Sequence, residues 1–197
     1  MDTDLVSISP HYAGTSKRTV GLIERVRQEE NNLLEGGFYG WADPGKNLDD
    51  GDYPFLFYVP DFHRYDDLVL PRRASIQLTA FAHVLTCYPT EADFKASQVQ
   101  SEIQYAANYF LPNGLFGEGP PEPEACFAGR LLSATLQTNP YSRHTFYALK
   151  IATLGGDVDV VAAPETVDGQ LLVGAIVHGE YWLSGRVLPE RPMDPTA

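Results

Sequence analysis

The last third of the chain, residues 125–188, consists of short apolar runs separated by turn signals at regular intervals. The runs are CFAGRLLSATLQ (126–137), HTFYALKIATL (144–154), DVDVVAA (157–163) and VGAIVHGEYWLSGRV (173–187). Asn139-Pro140 predicts a turn after the first run, and Gly155-Gly156 predicts a tighter hairpin after the second. Strands of this size and spacing predict a small antiparallel barrel that is closed or nearly closed.

Alternation within these runs predicts which side chains face the barrel interior. The predicted inward set is Tyr147, Leu149, Ile151, Val158, Val160, Val173, Ala175, Val177, Tyr181, Leu183 and Val187. The outward set supplies a candidate binding face, which is Phe146, Lys150, Asp157, Asp159, His178, Trp182 and Arg186. An outward Trp182 predicts a contact either with residues 1–110 of the same chain or with a partner protein.

Two segments nearer the amino terminus have the apolar spacing of helices. Val20, Ile23, Val26 and Leu33 predict a helix over residues 15–34, which Gly36-Gly37 would end. Thr90 is a candidate cap for a second helix over residues 90–109, with Val99, Ile103, Ala106 and Phe110 at helical spacing. Glu91 and Asp93 suit the positive end of its dipole.

Strands and a linker complete the predicted organisation. The aromatic run at 55–59 and the strict alternation over 74–88 both predict strands. The predicted fold class is α+β, a mixed amino-terminal region packed on a small carboxy-terminal antiparallel barrel. The predicted parts are an acidic region at 1–116, a Pro-rich linker at 117–124, the barrel at 125–188 and a tail at 189–197.

The barrel segment, residues 125–188, resembles the oligonucleotide/oligosaccharide-binding fold (OB-fold) in its order of three strands, a connector and a long bent strand. The segments TLGGDVDVVAAPE and GEYWLSGRV are also similar to those of an uncharacterised bacterial protein family. That second resemblance implies no activity. The OB-fold resemblance implies ligand binding across the outer side of the second and third strands.

The charge of the chain argues against a polyanionic ligand. The net charge is −12, and residues 1–125 hold 9 basic and 19 acidic side chains. Nucleic-acid affinity comes largely from Lys and Arg, so nucleic acid and anionic membranes are not expected partners, whereas a basic protein is. No signal peptide or membrane-spanning run is visible, and two cysteines are too few for a disulfide scaffold. These features predict a cytoplasmic location.

Few residues offer catalytic or metal-binding chemistry. His83, Cys87 and Cys126 are possible zinc ligands, but four residues along a strand span about 13 Å, so ordinary thiols are favoured. The acidic loop at 49–52 lacks the spacing of a calcium loop. No phosphate-binding glycine motif occurs. We therefore expect no metal and no cofactor.

One histidine could support hydrolysis. His63 lies close in sequence to Asp61, Asp66 and Asp67, and a carboxylate-bonded imidazole can act as a general base. No GxSxG motif accompanies it, and a solvated loop with local ion pairs is the favoured interpretation. The sequence therefore predicts a non-enzymatic protein that recognises a protein partner through an acidic surface, with no catalytic residue. The alternatives are a nucleic-acid-binding OB-fold module and a small hydrolase that uses a His/Asp site.

Overall fold

The computed structural model describes residues 10–27, 35–117 and 119–189. Strands hold 49% of these residues, and α- and 3-10 helices together hold 10%. The strands are β1 (Arg18–Val26), β2 (Gly37–Ala42), β3 (Pro54–Tyr58), β4 (Arg72–Tyr88), β5 (Tyr109–Leu111), β6 (Glu124–Thr138), β7 (Thr145–Thr153), β8 (Gly156–Ala162), β9 (Val167–Asp168) and β10 (Ile176–Val187). One α-helix, α1, spans Glu91–Ser97, and short 3-10 helices span Phe62–Tyr65, Asn113–Leu115 and Pro164–Thr166.

The strands predicted from alternation are confirmed. The run at 55–59 corresponds to β3, and the run at 74–88 corresponds to β4, which begins two residues earlier. The four runs of the last third correspond to β6, β7, β8 and β10. Gly155 and Gly156 form the predicted hairpin turn with φ values of 76° and 117°, a region that glycine enters without steric cost.

The helix predicted over residues 15–34 is wrong for residues 18–26, which form β1, and residues 28–34 lie outside the described part of the chain. β1 pairs with β2 on one edge and with β4 on the other. Val20 and Leu22 are fully buried two positions apart, which is the period of a strand. Pairing on both edges outweighs a weak helical spacing.

The helix predicted over residues 90–109 begins where expected but ends at Ser97. The Thr90 hydroxyl accepts a hydrogen bond from the Asp93 amide at 3.2 Å, and the Asp93 carboxylate accepts one from the Thr90 amide at 3.0 Å. This reciprocal pair is a capping box. Val99 and Ile103, which were expected to continue the apolar face, are 71% and 63% exposed, so burial does not stabilise a longer helix.

The predicted α+β class is not supported, because the described residues hold one α-helix of seven residues and are mostly strands. β4 and β5 precede the predicted linker at 117–124, yet they pair with β10 and β6, which follow it. The division of the chain into two domains stays a prediction.

The strand pairing closes on itself twice. In the first circuit the order is β1, β2, β3, β10, β4 and back to β1. In the second circuit the order is β6, β7, β8, β4, β10 and back to β6. The pair β4–β10 belongs to both circuits, so these two long strands join the halves of the molecule.

The two circuits repeat the same pairing directions. Each begins with three antiparallel strands in sequence order, and its third strand then pairs in parallel with one shared strand. Its first strand pairs antiparallel with the other shared strand. No repeat is visible in the sequence, so this symmetry resides in the backbone pairing alone.

The interior of the second circuit is formed by the side chains that alternation predicted. Leu149, Ile151, Val158 and Val160 are at most 2% exposed, as are Val177, Tyr181 and Leu183 on β10. Tyr147 and Val187 are only partly buried. Val173 is 72% exposed, because it lies in the turn before β10, where Gly174 has a φ of 93°. One apolar core includes side chains from both circuits.

Candidate functional site

The candidate binding face predicted from the sequence does not form one surface. Phe146, Lys150, Asp157 and Asp159 lie on β7 and β8, whereas His178, Trp182 and Arg186 lie on β10. β10 pairs with β3, β4 and β6 and does not border β7 or β8. The seven residues therefore belong to separate environments.

The outward side of β7 and β8 is covered by the N-terminal strap, which we define as residues 11–16. The Tyr12 ring meets Phe146 edge to face, with ring centroids 6.0 Å apart. The Thr79 hydroxyl donates to the Tyr12 carbonyl at 2.9 Å, and the Gln137 amide group donates to the Tyr12 hydroxyl at 3.2 Å. A segment of the same chain thus occupies the side of β7 and β8 on which the sequence resemblance predicts ligand binding.

Asp159 holds the strap to the sheet. It points away from the circuit interior as predicted, but the prediction that it is exposed is wrong, because it is only 4% exposed. Its carboxylate accepts hydrogen bonds from the Ser16 amide (2.9 Å), the Ser16 hydroxyl (2.6 Å) and the Gln77 side-chain amide (3.1 Å). A Cβ on Gly14 would lie 2.0 Å from the same carboxylate, so the strap approaches closely only with glycine there.

Asp157 and Asp159 lie on a strand that is paired on both of its edges. β8 is paired with β7 on one side and with β4 on the other. Asp159 faces Lys150 across the β7–β8 pair and Thr79 across the β8–β4 pair. The strand is therefore an inner strand, and the buried carboxylate serves a local hydrogen-bond network.

Trp182 packs against the amino-terminal part of the same chain. Its ring lies 5.9 Å from that of Tyr58 and 5.8 Å from that of Phe81, and the side chain is half-buried. These contacts agree with the first of the two alternatives for this residue, cover by residues 1–110. The indole is therefore largely engaged within the chain.

His178 belongs to a polar cluster with Tyr109 and Cys126. The Tyr109 hydroxyl lies 3.0 Å from His178 Nε2 and 3.0 Å from Cys126 Sγ. Burial lowers the pKa of His178 against the opposing effect of Glu180, and burial likewise raises the pKa of the Cys126 thiol. Both groups are therefore mainly neutral at pH 7, and the cluster lacks a thiolate–imidazolium pair.

Acidification is expected to destabilise the protein through its buried histidines. Burial lowers the pKa of both His11 and His178 below 6.5, so the unfolded chain binds more protons and stability falls as the pH drops through that value. Urea unfolding should give a lower midpoint at pH 5.5 than at pH 7.5. His178→Asn should weaken this difference, whereas His144→Asn in an exposed turn should not. An unchanged difference in His178→Asn would contradict the assignment.

The residues considered for hydrolysis and zinc binding are dispersed. His63 is exposed, its imidazole has no hydrogen bond to a described residue, and Asp61 instead accepts one from Arg64 at 3.4 Å. His83 is exposed on β4, whereas Cys87 is buried. Within residues 10–27, 35–117 and 119–189, no group of three or more His, Cys, Asp or Glu is placed to hold a metal ion. The geometry assigns no shared role to these side chains.

A cavity of about 480 Å³, here called the hairpin groove, lies between the β6–β7 hairpin and the connector at 164–172. Leu136 and Leu172 are 60% and 51% exposed where they line it. The other apolar lining residues include Ala134, Tyr147, Val167 and Leu171.

Two carboxylates are adjacent in sequence to residues that line this groove. Glu165 and Asp168 are both exposed, and each is adjacent in sequence to a lining residue, Pro164 or Val167. Sequence reasoning missed the site because it placed Tyr147 in the core and assigned no role to the leucines. The available signal was the apolar run Leu171–Val173, which directly follows a polar connection.

The fold and the sites define a β-rich protein with two closed circuits of strand pairs and an open groove lined in part by exposed leucines. No protein-family model matches the chain, and no curated protein or solved structure matches it. Among the described residues, no helix is long and apolar enough to cross a membrane. What the chain binds has to be inferred from its own side chains.

Proposed function

We propose that this chain is a non-enzymatic recognition protein that binds a basic, partly apolar segment of a partner protein in the hairpin groove. The observation that carries the proposal is the exposure of two leucines, Leu136 and Leu172, at 60% and 51%, along one concave surface. Large apolar side chains left exposed in a concave site are characteristic of interaction surfaces. The groove is large enough to accept one or two side chains of a partner.

The strand order supports an OB-like barrel in each circuit. A meander of three strands, a parallel pairing of the third strand and an antiparallel pairing of the first strand form the Greek-key order of that fold. OB-folds bind ligands with the second and third strands and with the loop between the first and second. In the second circuit this loop is the β6–β7 turn, and its hairpin forms one wall of the groove.

The negative charge near the hairpin groove favours a partner with positive charge. Glu165 and Asp168 are exposed and adjacent in sequence to lining residues, and the chain as a whole carries a net charge of −12. Complementary potentials speed association and disfavour partners of like charge. The expected ligand is therefore a peptide segment in which an aliphatic or aromatic side chain neighbours Lys or Arg.

Nucleic acid fits the same fold less well. Binding without sequence preference needs exposed aromatic side chains interleaved with positive charge. On the outer side of β7 and β8, Phe146 is in contact with Tyr12, and the lysine at 150 pairs across the strands with buried Asp159. A covered face with a carboxylate at its centre is a poor surface for phosphates.

A phage-displayed library of random dodecapeptides tests the proposal. We expect selected peptides to share an apolar residue next to Lys or Arg. A fluorescent copy of the strongest peptide should bind the wild-type chain in an anisotropy titration. Leu136→Ser should weaken that binding about tenfold, roughly 1.4 kcal/mol, because it removes apolar contact area. The double change Glu165→Lys and Asp168→Lys should weaken it further.

Val99→Ser is the matched control, because Val99 is 71% exposed and does not line the groove. It should leave the affinity unchanged. Selection of no shared motif, or equal weakening by Val99→Ser and Leu136→Ser, would overturn the proposal. A 20-nucleotide oligo(dT) that binds at physiological salt, where the selected peptides do not, would instead favour the nucleic-acid alternative.

A further inference from the structure

A second cavity, of about 680 Å³, lies at one end of the strand pair β4–β10. It is bounded by the Phe62–Tyr65 helix, the start of β4 and the end of β10. Three arginines, Arg64, Arg72 and Arg186, contribute to its walls, together with one carboxylate, Asp61. We name it the basic cavity. It shares no lining residue with the hairpin groove.

The concentration of guanidinium groups in the basic cavity contrasts with the rest of the molecule. The chain has ten arginines and a net charge of −12, yet three arginines and one carboxylate are among the described residues that line this cavity. Asp61 accepts a hydrogen bond from Arg64 at 3.4 Å. The Arg186 side chain has no hydrogen bond or ion pair to any described residue. Guanidinium groups are the side-chain groups that proteins commonly use for phosphate and carboxylate recognition.

The walls of the cavity are held by the core. The Tyr65 ring packs edge to face on Phe38 at 5.9 Å, and its hydroxyl donates to the Val187 carbonyl at 3.4 Å. The Arg25 guanidinium donates to the carbonyls of Tyr65 and Leu68, which fixes the loop that follows the 3-10 helix. A fixed wall reduces the entropy that a ligand would lose on binding.

Charge and apolar surface meet in the same space. Burial and the charge of Asp61 raise the pKa of the Tyr65 hydroxyl, and the smaller effects of Arg186 and Arg64 lower it, so all three charged groups act on this wall of the cavity. Apolar lining comes from Leu68, Ala74 and other side chains. The volume lies within the roughly 300–1,000 Å³ typical of small-molecule sites.

We propose that the basic cavity binds a small organic phosphate, with Arg186 and Arg64 on the phosphate group and Leu68 and Tyr65 against the apolar part. The guanidinium forks match phosphate oxygens, and the apolar wall favours an organic phosphate over the inorganic ion. This site is separate from the protein-binding groove, so either assignment can fail without the other.

Isothermal titration of the full chain with four probes tests the site. The probes are phenyl phosphate, adenosine monophosphate, inorganic phosphate and uncharged benzyl alcohol. We expect at least one of the two organic phosphates to bind about tenfold or more tightly than inorganic phosphate, and benzyl alcohol not to bind. Arg186→Gln should weaken the organic phosphate about tenfold or more, because it removes a charged hydrogen-bond donor.

Arg143→Gln is the matched control, since it removes the same charge from an exposed turn outside the cavity. It should leave the affinity within a factor of two. Failure of both organic phosphates to bind at millimolar concentration would overturn the proposal, as would equal weakening by Arg143→Gln and Arg186→Gln. Tighter binding of oligo(dT) with the same Arg186 dependence would also overturn it, in favour of a polyanion site.

Discussion

Phe127→Ala is expected to lower the free energy of unfolding by about 3 to 5 kcal/mol. Phe127 is fully buried on β6, with its ring stacked on Tyr181 at 3.9 Å and on Phe110 at 5.3 Å between centroids. These partners come from β10 and β5, so truncation would open a cavity where three strands meet. Thermal unfolding followed by circular dichroism should show a Tm lower by roughly 10 °C or more.

Phe116→Ala provides the comparison for this prediction, because the same chemical change is made at a side chain that is 70% exposed. Its effect should stay within about 0.5 kcal/mol. A loss of less than about 1 kcal/mol in Phe127→Ala would show that the stacked rings are not packed as described. Similar losses in the two variants would lead to the same conclusion.

The local sequence pattern was sufficient to predict the position of most strands of the second circuit. Alternation along β7 and β8 identified Leu149, Ile151, Val158 and Val160 as interior side chains, and all are buried. The reason is physical: a strand with one covered face must place apolar groups at every second position. The prediction that Val173 is buried was wrong, because the alternation of the sequence continues into a turn, where the backbone no longer follows the strand period.

The pairing between strands could not be read from local pattern. β4 and β10 are about a hundred residues apart in the chain, and nothing in either run states that they pair with each other. For β1 this led to the wrong prediction of a helix. The burial of Val20 and Leu22 on one side of a strand is apparent only when the pairing of β1 with β2 and β4 is known. Where the local preferences for helix and for strand are both weak, the pairing with neighbouring strands decides which of the two forms.

The sites were less predictable than the strands. Phe146, Lys150 and Asp159 were correctly placed on one side of the sheet, but no pattern indicates that residues 11–16 would cover them. Coverage depends on Ser16 reaching a carboxylate more than a hundred positions away. The hairpin groove and the basic cavity likewise combine segments that are distant in sequence, so their side chains had no common signal.

Asp159→Ala is expected to destabilise the protein by about 3 kcal/mol and to release the N-terminal strap. The substitution removes the acceptor of the buried Ser16 amide. It also removes one of two acceptors of the Ser16 hydroxyl, which donates to the Leu78 carbonyl as well, and one of two acceptors of the Gln77 side chain, which donates to the Thr79 hydroxyl as well. Buried donors without an acceptor carry the full desolvation cost. Urea unfolding measures the loss of stability, and hydrogen exchange at the Ser16 amide reports the release.

Asp157→Ala is the matched control, because it also removes one carboxylate from the same strand, two positions away from Asp159. It therefore distinguishes the loss of the Asp159 hydrogen bonds from a general effect of negative charge. Asp157 is half-buried, and its carboxylate has no hydrogen bond to a described residue. Its effect should stay within about 0.5 kcal/mol, with unchanged exchange at Ser16. Equal destabilisation by the two variants would contradict the role given to Asp159. Unchanged exchange in Asp159→Ala would do so as well, since the remaining contacts of the strap, such as those of Tyr12 with Thr79 and Phe146, would then be enough to hold it.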